Sequence, residues 1–382
     1  HRAAAFRPAK GGLVRVNLVT GGCGFIGRHL VAALVARGER VRVLDLRPLD
    51  PAIHGVEQVV GSITDSLTVA RATEGCERVF HLAANPNLWA PDPKSFDAVN
   101  HQGTRRILEA AQKAGVRRFV YTSTESILKS YRAPKQSARA LIDETVVLTL
   151  DDMPGPYCRS KFLAEQAARE AAAGGLPVVI VNPTMPIGPG DDLLTPPSKM
   201  ILGFLNGETP AYLDCEFNLV DARDVAACQI LAADKGRVGE RYILGNVNLS
   251  LGELLAELQR LTGLAMPRTR IPYALAIASA LVSESISNIT KKPPIAPITG
   301  VRLARTSMAF DCSKARGELG WSCRTLEQSL RDAIGWMSGQ GLLRRPVGGP
   351  ILEELRERLE SRSEVKPSVP PAQAIRAERD QR

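Results

Sequence analysis

Two hydrophobic rhythms alternate along the first third of the chain. Short runs rich in Val, Leu and Phe at 14–20, 40–44, 57–60, 78–82 and 117–122, broken by polar residues, have the length and composition of strands. Between them apolar residues return at helical spacing, as in Ile26, Leu30, Val31, Leu34 and Val35. Strands that alternate with helices predict an α/β fold with a parallel sheet covered on both faces. A sixth strand is expected at 177–181, after a helix that opens at Tyr157 and runs to about residue 173. Beyond 184 the alternation loosens. Helices near 198–205, 224–233 and 251–261, with strand-like pieces at 218–220 and 241–244, predict a smaller lobe. The expected organisation is a leader at 1–13, a ligand-binding domain at 14–183, a substrate lobe at 184–340, and a charged helix with a tail at 341–382. Residues 1–13 read as disordered, or as a fragment of a longer product. The helix 350–362 carries Leu352, Leu355 and Leu359, and the Pro- and charge-rich 363–382 reads as disordered.

The first strand ends in Thr20-Gly21-Gly22-Cys23-Gly24-Phe25-Ile26-Gly27. Gly21 permits a sharp turn, Gly24 lets a pyrophosphate approach the backbone, and Gly27 lets helix and strand pack closely. The free N–H groups and dipole at the helix start favour phosphate charge. The second strand ends at Asp45, placed to hydrogen-bond a ribose 2′-OH. This predicts a Rossmann-type doubly wound sheet that binds a dinucleotide. Asp65 follows the third strand and suits either a ligand contact or a helix cap. The small side chains of Ala83 and Ala84 at the end of the fourth strand would let a cofactor lie on the backbone, and Asn100 reads as a polar brace for neighbouring loops.

Thr124 lies just past the fifth strand, and Tyr157 and Lys161 stand four apart on a helix, hence on one face. A phenol with pKa ~10 is too weakly ionised to act as an efficient base at neutral pH. A neighbouring lysine cation and a nicotinamide's positive charge move it toward working pH. Thr124 would hold the substrate oxygen against Tyr157, and Lys161 would also bond the cofactor ribose. Residues 130–155 are polar and irregular and read as a flap near the site.

Composition narrows the partners. Forty-nine Lys and Arg against 40 Asp and Glu leave a net charge of +9, partly from Arg2, Arg7, Lys10 and Arg15. No compact basic run with interleaved aromatics occurs, so nucleic-acid binding is not expected. Seven scattered cysteines without metal-type spacing suit a reduced, cytoplasmic compartment, and no metal site is expected. No uninterrupted apolar run of ~18 residues suggests a spanning helix. The segment 271–286 is nevertheless unusually apolar. It reads first as a helix packed on the lobe, and alternatively as a lid over an apolar substrate or a peripheral membrane contact.

Taken together, these motifs resemble the extended short-chain dehydrogenase/reductases, the NAD-dependent epimerase/dehydratase family, over residues 14–337. Asn182-Pro183, Gly188-Pro189-Gly190-Asp191 and Asp221-Ala222-Arg223-Asp224 extend the match. Leu88-Trp89-Ala90-Pro91-Asp92-Pro93 and Lys161-Phe162-Leu163-Ala164-Glu165 are similar to the hopanoid-associated sugar epimerase and dihydroflavonol-4-reductase-like branch. Asp45-Leu46-Arg47 and the glycine turn look like the 3β-hydroxysteroid dehydrogenases. The resemblance implies catalysis by Thr124, Tyr157 and Lys161, supported by Asn100. It implies a cofactor site of Gly21, Gly24, Phe25, Ile26, Gly27, Asp45, Arg47, Asp65, Leu82, Ala83, Ala84, Asn100, Thr122, Tyr157, Lys161 and Pro183. Ile63 would join Asp65 on the adenine side. Asp45 would repel a 2′-phosphate and favours NAD over NADP, with Arg47 as the countervailing charge. Glu125 stands where the family usually has a small residue. It is half of the Asp-Glu pair of the 4,6-dehydratases, so full dehydratase chemistry is not expected, and Arg132 or Lys129 is its expected partner.

The expected activity is NAD-dependent hydride transfer at a secondary alcohol or its ketone, by a protein that pairs as a homodimer. A ketone held and reduced from its other face would give epimerisation, and a released one dehydrogenation. A sugar substrate would call on Lys199 and Arg223, and a sterol, hopanoid or flavonoid-like substrate on Trp89, Phe204 and the 271–286 helix. The rival outside enzymology is an NAD-sensing module that has kept the fold and lost the chemistry.

Overall fold

A seven-stranded sheet carries the site. In chain order the strands are β1 (Val16–Thr20), β2 (Arg40–Asp45), β3 (Glu57–Val60), β4 (Cys76–His81), β5 (Arg118–Thr122) and β6 (Val178–Pro183). They continue as β7 (Met185–Ile187), β8 (Ala211–Tyr212), β9 (Glu216–Asp221), β10 (Arg241–Leu244), β11 (Val247–Ser250) and β12 (Thr269–Arg270). The computed structural model describes residues 16–49, 55–132, 141–294, 296–305 and 308–348. The expected leader, the charged helix 350–362 and the tail 363–382 lie outside the described residues.

The main sheet has the order β10-β6-β5-β4-β1-β2-β3, with every pair parallel. Alternate side chains fill two cores, as a sheet buried on both faces requires. Leu18, Val79, Phe119 and Ile180 pack with Ile107, Ala164 and Ala168 on one face. Val19, Phe80, Val120 and Val179 pack with Leu30, Val31, Leu34 and Val225 on the other. The strand order turns back at β1, so the carboxyl ends of β1 and β4 flank an open crevice, where such sheets bind ligands.

The boundary expected at 183/184 does not hold for the sheet. The helix Ala222–Lys235 packs against the helix Phe25–Ala36, and β10 pairs with β6 from Arg241↔Ile180 to Leu244↔Pro183. Residues 222–244 therefore rejoin the first domain. A strand and a helix show the same local periodicity whichever sheet receives them, so the chain's return left no mark in the pattern. The smaller lobe is built from β11-β9-β7 and β12-β8, with a core that includes Phe204, Leu219, Leu254, Leu258 and Ile334.

The apolar segment forms a helix, Tyr273–Thr290, in which only Ala280 and Ser287 are buried. Leu275, Leu281, Val282, Ile286 and Ile289 are all at least half exposed. It rests on the helix Ile298–Leu303 and does not pack into the lobe core.

Candidate active site

The turn after β1 closes on itself. Gly24 N donates to Gly21 O (3.0 Å), and Arg28 N to Gly24 O (3.0 Å) as the helix Phe25–Ala36 begins. A Cβ on Gly27 would lie 2.1 Å from the Gly21 carbonyl oxygen, so only glycine lets the helix start this close to the turn. Gly21 has φ +73°, and a Cβ there would strike the backbone of Ala83. Thr20 Oγ1 accepts from Ala83 N (3.2 Å) and contacts His81 Nδ1 (2.7 Å). Thr104 Oγ1 donates to Asn100 O (2.6 Å), so it accepts from His81 Nε2 (2.9 Å). That fixes the neutral tautomer of a fully buried histidine, whose pKa burial lowers to about 3.

Asp45 Oδ2 accepts from Cys23 N (2.9 Å) and Oδ1 from Arg47 N (3.2 Å), which sets the carboxylate at the rim of the turn. Arg47 swings its guanidinium to the Cys23 carbonyl (3.0 Å). Asp65 turns away. It caps the helix Ser66–Thr73 through Leu67 N and Thr68 N, and the crevice wall beside it comes from Ser62 and Ile63. The capping alternative therefore describes Asp65.

Asn100 is also off the crevice. It lies in a π-helical turn, Asp97–Gly103, fully buried, where its Oδ1 accepts from Asn85 N (2.7 Å). Its Nδ2 donates to Asn85 O (3.1 Å) and Ser160 Oγ (3.1 Å). It braces the loop after β4 against the helix Pro156–Ala173, on which Tyr157 and Lys161 stand. Pro156 opens that helix at its first turn, after an extended Gly155 whose Cβ would collide with Thr299.

Lys161 is buried at 4% exposure, donates to Thr122 O (2.8 Å), and lies 4.7 Å over the Tyr121 ring. Burial lowers its pKa to about 7, and Glu165 one turn on works against that shift. Glu165 is held by Arg241 (2.8 Å) and Asn182 (2.9 Å), and Asn182 also donates to Thr124 O (3.1 Å). Tyr157 packs its ring edge-on to Phe96 at 6.3 Å. Burial raises its phenol well above the usual tyrosine range, the Glu125 charge adds to that, and the Thr124 hydroxyl offsets part of it. Glu125 meets neither Arg132 nor Lys129 among the described residues. Arg132 turns to Tyr131, and Glu125 takes the Thr124 and Ser126 hydroxyls.

One cavity of about 740 Å³ joins these parts. Gly21, Gly24, Phe25, Ile26, Gly27, Asp45 and Arg47 line one end, and Leu82, Ala83, Ala84, Thr122 and Pro183 the middle. Thr124, Glu125, Tyr157 and Lys161 stand at the junction with the lobe. Beyond them the wall is mostly apolar, with Leu88, Met185, Leu193, Met200, Phe217, Leu303, Met308 and Phe310, and its charged members are the acids Asp191 and Glu216. Trp89 and Phe204, expected in that wall, are elsewhere: Phe204 is inside the lobe core, and Trp89 donates to Asn288 (3.4 Å). The lobe end contains no lysine or arginine among the described residues. Arg223 is ion-paired to Asp221 (2.6 Å) and Asp332 (2.7 Å), and Lys199 points to solvent. The apolar wall is not legible in the sequence because it gathers residues from four separate stretches, around 88, 185–200, 217 and 303–310.

A long ligand with phosphates at one end and a reacting ring at the other fits this cavity, which makes the fold and site those of a dinucleotide-dependent oxidoreductase. The comparisons agree. The chain belongs to the NAD-dependent epimerase/dehydratase family, whose model matches residues 17–245. It is 39% identical over 333 residues to a Synechocystis sp. protein provisionally named dihydroflavonol 4-reductase, covering 85% of this chain and 95% of that one. It is 34% identical over 332 residues to sterol demethylase protein B of Methylococcus capsulatus, covering 86% of this chain and 99% of that one. MoeE5, solved in complex with UDP-glucose and NAD, superposes with a TM-score of 0.66 at 26% identity, covering 85% of this chain and 98% of that one. The protein is thus an NAD-dependent enzyme of that family, acting on a small-molecule substrate.

Proposed function

We propose that the enzyme interconverts a secondary alcohol and its ketone on an apolar, polycyclic or lipid-linked substrate. The lobe end of the cavity carries this reading. Its wall is largely apolar, its charged members Asp191 and Glu216 are acids, and it offers no cation to a sugar diphosphate, so that a phosphate would be buried unpaired, which is strongly unfavourable. The likeness to a protein named for sterol demethylation points the same way.

When bound, NAD supplies the hydride-accepting ring and its positive charge. Gly21, Gly24 and Gly27 would cradle the pyrophosphate, and Asp45 would take the adenosine ribose. In the oxidising direction Tyr157 removes the hydroxyl proton of the alcohol. Thr124 would hold the same oxygen, and Lys161 would hold the cofactor ribose and stabilise the phenolate with its cation. Asn100 and Glu165 do not touch substrate. They position the helix and the lysine.

NADH absorbance followed with 3β-hydroxysterols, hopanoid alcohols, flavonoid-type ketones and nucleotide-sugars is the direct test. Turnover is expected with the polycyclic alcohols and with NAD. Turnover confined to nucleotide-sugars overturns the substrate reading, and equal or better rates with NADP overturn the role of Asp45. Product stereochemistry separates dehydrogenation from epimerisation, the second reading, which the likeness to a UDP-glucose-binding neighbour favours.

No helix among the described residues is long and apolar enough to cross a membrane. The exposed face of Tyr273–Thr290 is a different feature. It is uncharged, and exposed Arg268 and Arg270 stand before it with Lys291 and Lys292 after it. Such a helix, flanked by cations, suits a position in the plane of an anionic bilayer surface. The helix on which it rests contributes Gly300 and Leu303 to the cavity wall, so this placement brings the cavity to the lipid. Flotation with phosphatidylglycerol vesicles is expected to carry the protein upward, and Leu275→Glu/Ile286→Glu to release it. A dimer that buries these residues and leaves all protein unbound to vesicles makes the face a homodimer contact instead.

A further inference from the structure

The proposed reaction leaves one half-buried acid of the site without a task. Glu125 follows the hydroxyl residue Thr124 directly and lines the cavity with Tyr157. Thr124 Oγ1 lies 2.9 Å from Glu125 Oε2, and Ser126 Oγ lies 3.2 Å from Glu125 Oε1. Thr124 Oγ1 also accepts from Ser126 N (3.2 Å), within the 3-10 turn Glu125–Ile127 that Thr124 caps. Both hydroxyl residues are buried. The titratable groups that face Glu125 from the packed helix are Tyr157 and Cys158, and both feel its charge. Among the described residues no lysine, arginine or histidine forms an ion pair with it.

A threonine hydroxyl has one hydrogen. With Glu125 ionised, that hydrogen points at the carboxylate and cannot hold the substrate oxygen. With Glu125 protonated, the carboxylic acid can donate to Thr124 Oγ1, and the threonine hydrogen is free to turn into the cavity. The direction of one hydrogen bond thus depends on one proton.

We propose that Glu125 is a proton-bearing positioning residue, whose acid form donates to Thr124 and frees the threonine hydroxyl for the substrate oxygen, and whose carboxylate form withdraws it. This rests on the assignment of Thr124 and Tyr157 to the reaction. No bond to carbon is made or broken by Glu125, and its proton remains on the carboxyl through turnover. Burial agrees with the acid form, since it raises the Glu125 pKa while only neutral hydroxyls and backbone oppose it. The carboxylate would act twice against turnover, once by holding the Thr124 hydrogen and once by raising the phenol of Tyr157.

Three measurements on the NAD-bound protein test this. Infrared difference spectra between wild type and Glu125→Gln should show a protonated-carboxyl stretch at neutral pH that belongs to Glu125 and fades as pH rises. Its absence at neutral pH overturns the proposal. Near-ultraviolet titration of the Tyr157 phenol, taken against a Tyr157→Phe background, should show ionisation at lower pH in Glu125→Gln, because the charge is gone. An unshifted titration overturns the coupling.

The third measurement is the pH profile with the alcohol that supports turnover in the panel above. Wild-type turnover should fall about tenfold per pH unit once Glu125 ionises. Glu125→Gln, whose amide donates as the acid does, should hold its rate there. Glu125→Ala, with no carboxylate to hold the Thr124 hydrogen, should also lose the fall at high pH, at a rate lowered by the missing donor. A Gln variant that binds NAD but is inactive at all pH values, or that keeps the wild-type profile, sinks the proposal. The infrared and titration results do not depend on turnover. They stand even if Tyr157→Phe proves active, and that outcome would instead sink the reaction assignment.

Discussion

Tyr157→Phe is expected to lower turnover by about three orders of magnitude while NAD affinity changes little. A positioned proton-transfer group contributes roughly 10²–10⁴-fold, and a thousandfold loss corresponds to ~4 kcal/mol of transition-state stabilisation. The substitution removes only the hydroxyl. The ring stays packed edge-on against Phe96, and the helix start at Gly155-Pro156 is untouched. Lys161 keeps its bond to the Thr122 carbonyl. The loss should therefore appear in kcat with KM for NAD near the wild-type value, read by NADH absorbance and by calorimetric titration of NAD. A variant that binds NAD and keeps full turnover or biological function would remove Tyr157 from the chemistry. It would also revive the rival reading, an NAD-sensing module on an enzyme fold.

Gly27→Ala should unfold the cofactor cradle without touching the catalytic end. The added Cβ would sit 2.1 Å from the Gly21 carbonyl oxygen and 2.9 Å from Gly22 Cα, both backbone atoms that no rotamer change can move. Relief requires the helix Phe25–Ala36 to back away from β1. Overpacking of this kind destabilises by about 1–3 kcal/mol. The same shift separates Gly24 N from Gly21 O and moves Cys23 N off Asp45, so the proposed phosphate and ribose contacts should fail together. A lowered thermal midpoint and at least tenfold weaker NAD binding are expected. Gly38→Ala, where a Cβ meets nothing within 4 Å, is the control, with only the cost of its positive φ. Equal NAD affinity in Gly27→Ala and wild type would show that the cradle does not depend on this close approach.

The cofactor half of the cavity was legible in the sequence because its requirements are local. A turn with positive φ and a backbone contact too close for a Cβ admit only glycine, so Gly21 and Gly27 announce themselves by residue type. Asp45 is found by its place at a strand end, and Tyr157 with Lys161 by one helical turn of spacing. Two locally argued residues were displaced. Asp65 follows a strand as a ligand would, yet the same spacing serves a helix cap, and the cap is what forms. Asn100 is the polar brace its place suggested, reaching Asn85 and Ser160, but it does not line the cavity where the resemblance also put it.

The sequence by itself determined the parallel α/β sheet, the tight glycine turn after β1, the acid at the end of β2 and the spacing of Tyr157 and Lys161, since each depends on periodicity or backbone geometry within a few residues. Only the tertiary structure decided the rest. It returned residues 222–244 to the main sheet, left the Tyr273–Thr290 helix exposed, and closed an apolar wall from Leu88, Met185, Phe217 and Leu303, far apart in sequence. It also left Glu125 with hydroxyls in place of a cation. Substrate choice and protonation depend on which distant side chains become neighbours, and packing settles that, not local pattern.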